Sequence, residues 1–104
     1  MKKILLTPYP GYVLVARNKA EFLRGYKKHT RQDCTFPVGR GVTSRMALNR
    51  GQLFLVYATD LPSLVHEFSH VVLDLFGYVN ADPRESNGEP FAYMMSHLME
   101  EYHK

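Results

Sequence analysis

Between Asp60 and Gly77 the chain reads DLPSLVHEFSHVVLDLFG, and few folds can accommodate such a segment. Asp60 is a strong N-cap residue. Pro62 suits a first helical turn, where no amide hydrogen bond is lost, and Gly77 suits the left-handed residue that closes a helix. This punctuation predicts a helix. Its apolar residues Leu64, Val65, Phe68, Val71, Val72, Leu75 and Phe76 cover most of the circumference, which predicts a central, largely buried element. The same helix carries His66, Glu67 and His70. Side chains four apart project from one face, so both imidazoles can grip a single metal ion with Glu67 beside it.

Two histidines on a buried helix need partners, and backbone carbonyls or carboxylates could supply them. An acid between histidines at i and i+4 favours a metal: in the HExxH pattern both His are zinc ligands and the Glu takes a proton from water. A catalytic zinc needs a third protein ligand. Asp74 lies about 12 Å along the axis from His66, at about 1.5 Å per residue. It is better cast as an acceptor for the free N–H of His70. Further candidates are Asp82, Glu85, Glu89, His97 and His103. Phe91, Met94, Met95, Leu98 and Tyr102 recur at helical spacing, so a second helix opens at Glu89, with Pro90 in its first turn. Folded back antiparallel, that helix would bring Glu89 to the metal; Ser86 and Glu89 also read as a capping box. Tyr93 could donate a hydrogen bond to a polarised carbonyl or serve as a core aromatic.

His66, Glu67, His70 and a Glu nineteen residues after the second His resemble the gluzincin branch of the zincin metallopeptidases. The segment Glu89–Tyr93 stands where such enzymes carry a Glu-x-x-Ser/Ala element. The resemblance covers residues 52–102 and implies zinc on His66, His70 and Glu89, with Glu67 as general base. The arrangement is also similar to small zincin-like proteins encoded by tailed bacteriophages. A metzincin continuation would place Gly at 73 and His at 76, where this chain has Leu73 and Phe76. Typical gluzincins have a second, mostly helical domain, for which 104 residues leave no room. The expected function is a zinc-dependent hydrolase, a metallopeptidase acting on peptide or protein substrates. The alternative is a non-catalytic zinc-binding assembly or binding protein.

The remainder fits one α+β domain over residues 1–104. At 45% hydrophobic and 22% charged residues, its core is small but sufficient. Strands are expected at Ile4–Leu6 and Tyr12–Ala16. Asn18 caps a helix of Lys19–His29 with Ala20, Phe22, Leu23 and Tyr26 inward, and a loop follows over 30–41. Val42–Leu48 and Gln52–Tyr57 form a hairpin around Gly51. The expected architecture is a minimal zincin-like domain: a small, mainly antiparallel sheet packed on the central HExxH helix and a C-terminal helix. In a zincin, the strand before the active-site helix offers an edge to a peptide, and this hairpin would take that part.

Charge is uneven. Residues 1–50 hold eleven of the thirteen Lys and Arg against two acids, a net +9, and residues 51–104 hold two against eight, a net −6. Lys19, Arg24, Lys27, Lys28 and Arg31 make the stretch 19–31 basic, either a solvated face or a surface for nucleic acid or an acidic protein. Thr7–Gly11 breaks the initial apolar run, so neither a signal peptide nor a membrane span is expected. The lone Cys34 can form no internal disulfide. The expected setting is cytoplasmic, the host cytoplasm for a phage protein.

Overall fold

The computed structural model describes residues 1–104. The chain runs β1 (Lys2–Leu5), β2 (Gly11–Val15), α1 (Lys19–Thr30), β3 (Gly41–Ala47), β4 (Gln52–Ala58), α2 (Leu61–Tyr78), a 3₁₀ turn (Glu85–Gly88) and α3 (Glu89–Tyr102). The strands form one sheet in the order β1-β2-β4-β3. β1 pairs antiparallel with β2 and β3 with β4, but β2 and β4 run parallel. The sheet is therefore mixed at its centre. Two reversals between β2 and β4, through α1 and then β3, bring β4 back beside β2 in the same direction.

Alternation along β4 sorts the two layers. Phe54 and Val56 face α2 and α3, in a core with Ile4, Leu6, Val13, Leu64, Phe68, Val71, Val72, Leu75, Phe76, Met94 and Leu98. Leu55 faces the other way, against Phe22, Val38, Tyr26 and Val42 beneath α1. Phe22, Phe54, Phe68 and Phe76 are fully buried, each contributing about 1.5–3 kcal/mol of transfer free energy.

α2 is less enclosed than its composition predicts. Nothing covers its outer face, so Val65 is 40% exposed and Leu73 48% exposed, and both histidines face solvent. Asp60 caps the helix as expected, its carboxylate accepting from Ser63 N at 2.8 Å. Gly77 stays helical; the left-handed residue is Asn80. In α1, Phe22 is buried as expected, but Ala20 and Leu23 turn outward while Glu21 and Gly25 turn inward. A Cβ at Gly25 would meet Leu55 methyls at 3.4 Å, so the helix approaches the sheet along its glycine.

Candidate metal centre

The single helical turn between His66 and His70 brings their Nε2 atoms to 3.2 Å, with the rings nearly perpendicular. Two nitrogens on one tetrahedral zinc, at Zn–N bonds of about 2.0–2.1 Å, stand about 3.3 Å apart. The imidazoles thus converge on one point in front of α2, at a spacing that suits either a shared proton or a shared metal. Ser69 Oγ donates to the His66 carbonyl at 2.6 Å, within the same turn.

Glu67 projects from the same turn toward the sheet and is 7% exposed. Thr43 Oγ1 donates to its Oε1 at 2.8 Å, which fixes the carboxylate under β3. Gly41 makes room for it: a Cβ there would lie 2.8 Å from Glu67 Oε2. Arg40, Gly41, Pro62, Ser63, His66 and Glu67 line a polar cleft of about 420 Å³. At its mouth Arg40 Nη2 donates to Asp60 Oδ2 at 2.8 Å. That bond, with the Ser63 amide, holds the Asp60 carboxyl well below the usual carboxylate range.

The free edge of the sheet borders this cleft. β4 is paired on both sides, so the edge is β3 and not the strand preceding α2. Thr59 N donates to Arg40 O and Leu48 N to Gly51 O, so even-numbered residues of β3 bond to β4. Antiparallel alternation then turns the backbone groups of Gly41, Thr43, Arg45 and Ala47 outward. The side chains of Thr43 and Arg45 reach toward α2, meeting Glu67 and Asp74 respectively. β3 therefore runs along α2 in the same direction, and a groove follows its edge.

No third His, Cys, Asp or Glu joins the two imidazoles. Glu89 is exposed at the start of α3. Phe91 packs on Phe76 and Tyr102 on Phe68, so antiparallel packing sets the start of α3 beside the far end of α2. The capping box is not formed either. Gly88 is the N-cap residue and no side chain bonds there, while Ser86, Asn87 and Gly88 are all left-handed. Asp74 turns to Arg45, at 3.9 Å, rather than to His70. Tyr93 is neither core nor near the pair: it is 72% exposed and lines a separate cleft with Thr7, Pro8, Tyr9, Pro90 and His97. The His97 ring is bonded to the Leu5 carbonyl, 2.8 Å away.

Sequence reasoning overlooked Gly41, Thr43 and Arg40. Their one signal was a Gly and a Thr alternating in a strand that the hairpin turn placed near α2. Comparison with protein families, with curated proteins and with solved structures returns no match. No helix is long and apolar enough to cross a membrane.

Proposed function

We propose that this chain is a zinc-dependent hydrolase acting on extended peptides, with His66 and His70 as metal ligands and Glu67 as the general base. The observation that carries the reading is the pair of converging Nε2 atoms with a buried carboxylate fixed beside them under a free sheet edge. Zinc held there would polarise a carbonyl and acidify a water. With Oε1 engaged by Thr43, Glu67 has Oε2 for taking a proton and later returning it to the leaving amine. The outward backbone groups of Gly41, Thr43 and Arg45 would pair with a peptide laid along the groove. A third ligand has to come from a carboxylate that moves in. Glu89 is the residue that the spacing favours, and it could serve only if the start of α3 left its packing on Phe76 at the far end of α2.

The presence of only two ligands also supports a competing reading, in which a partner chain closes the metal site and no turnover occurs. Paired measurements separate the two. Wild-type protein should carry one zinc per chain, and His66→Ala or His70→Ala should purify without it. Glu67→Gln should keep zinc and fold yet lose cleavage of a denatured-protein library read by mass spectrometry. Wild type that stays metal-free after incubation with equimolar zinc would remove the basis of the proposal. Fully loaded wild type that cuts nothing would favour the non-catalytic reading.

A further inference from the structure

The open face of α2 carries no free charge. Of the eighteen residues in this helix only Glu67 and Asp74 are charged. Glu67 is buried under β3 on Thr43, and Asp74 stands 3.9 Å from Arg45. Before the first turn, Asp60 is held by Arg40. Beside the row of His66 and His70 run Leu61, Val65, Ser69, Leu73 and Gly77, spaced four apart along one ridge. Leu61, Val65 and Leu73 are between 40% and 50% exposed. A helix that stays at a surface ordinarily turns charged side chains outward, so an uncharged face edged with Val and Leu is suited to being covered.

The histidines say what covers it. Zinc takes four ligands, and one chain brings two to the point where its imidazoles converge. An unrelated partner would need a matching pair of donors, whereas a second copy carries that pair, in the same arrangement and on the same exposed face. Turned about a twofold axis through the ion, the copy completes a set of four nitrogens from side chains already 3.2 Å apart in each chain. The start of α3 keeps its packing on Phe76, which a Glu89 ligand would require it to leave. Tetrahedral coordination sets the two pairs in perpendicular planes, so the helices cross steeply and touch only near the ion. So small a contact depends on the metal.

We infer that two copies of this chain share one zinc ion between their α2 helices, through His66 and His70 of each copy. The inference rests on the reading of these histidines as metal ligands, and it adds a partner and a regulation of that site. An ion held by four imidazoles has no position open for water, so the shared-zinc dimer is the resting form of the proposed hydrolase. Excess zinc fills each pair separately and returns the dimer to single chains.

The test uses full-length wild type without a metal-chelating tag, stripped of metal and titrated with zinc at fixed protein concentration, its mass followed by sedimentation velocity. The protein should be monomeric without zinc, should double in mass at about half an equivalent per chain, and should be monomeric again in several-fold excess. Cobalt in place of zinc should give the strong visible absorption of a tetrahedral ion at the same half equivalent. His66→Ala and His70→Ala, at exposed positions that do not endanger folding, should stay monomeric at every ratio. Zinc bound one per chain by a monomer throughout the titration would overturn the sharing and leave the hydrolase reading intact. A dimer that persists in chelator or in His66→Ala would overturn it as well, because the contact would then lie away from the metal. No uptake of zinc at all would remove both readings. A half-equivalent dimer whose zinc-saturated single chains cut nothing would leave the sharing standing and sink the hydrolase.

Discussion

Gly41 shows how one missing atom can serve a site. It lies in ordinary strand geometry, so its lack of a Cβ answers a packing need and not a backbone one. A methyl there would stand 2.8 Å from Glu67 Oε2 and 3.2 Å from its Cγ. What would give way is the end of a flexible side chain, not the sheet. Gly41→Ala should therefore change stability by no more than about 1 kcal/mol and leave zinc content alone. Turnover should fall by about a hundredfold or more, the usual contribution of a positioned base. Steady-state kinetics beside a denaturation curve would check this, and Gly41→Ala with wild-type turnover would show that the carboxylate orientation fixed by Thr43 is irrelevant to the chemistry. His66, Glu67 and His70 were legible because helical spacing is local. Gly41 and Thr43 were not, since Thr43 meets Glu67 across 24 residues and only the sheet order decides which strand lies over α2. Glu89 had the right spacing, but spacing does not say where the turn before it points.

At the level of elements, the starts of α1 and α2 were read most faithfully, whereas Gly77 does not close α2 and no side chain caps α3. Asn18 and Asp60 both cap as expected, because a cap needs only residues three positions apart. The mixed centre of the sheet was not legible, since nothing in β2 or β4 alone marks them as parallel neighbours. The start of α1 carries a further device. Asn18 Oδ1 accepts from Glu21 N at 2.8 Å, and Glu21 returns the bond, accepting from Arg17 N at 2.9 Å. The Arg17 side chain and amide hold the Glu21 carboxyl at about 2, against an ordinary value of 4.5. Above pH 4.5 both folded and unfolded chains keep this carboxylate charged, and its stabilisation is complete. Between 4.5 and 2 the unfolded chain takes up the proton first, so stability drains away as pH falls. Urea denaturation at pH 6 and pH 3 should show Glu21→Gln losing less stability than wild type between those conditions. Equal losses would mean that the Arg17–Glu21 contact does not form in solution. Part of the acid sensitivity should remain in Glu21→Gln, because Arg40 and Ser63 hold Asp60 down in the same direction.

For the molecule as a whole, the sheet separates two surfaces: α1 and its basic residues cover one face, and the His66–Glu67 groove lies with α2 on the other. The outer face of α2 has no second layer, so α2 and α3 are packed on one side, against the core beneath them. A ligand that binds the native state and not the unfolded one therefore has much to add. Zinc at about one hundred times its dissociation constant should stabilise the fold by about 2.7 kcal/mol. For a domain of this size each kcal/mol raises Tm by about 4–8 °C, so the expected rise is roughly 10–20 °C. Calorimetry with added zinc should show that rise in wild type and in Glu67→Gln, and none in His66→Ala. Glu89→Ala reports on the missing ligand: if the start of α3 swings in, its rise should be clearly smaller than that of wild type, whereas Asp74→Ala should stay near wild type. A full rise in Glu89→Ala would show that the metal takes its third ligand from elsewhere. A rise of equal size in His66→Ala would place the ion away from α2 altogether, and the pair of imidazoles at 3.2 Å would then be joined by a proton and nothing more.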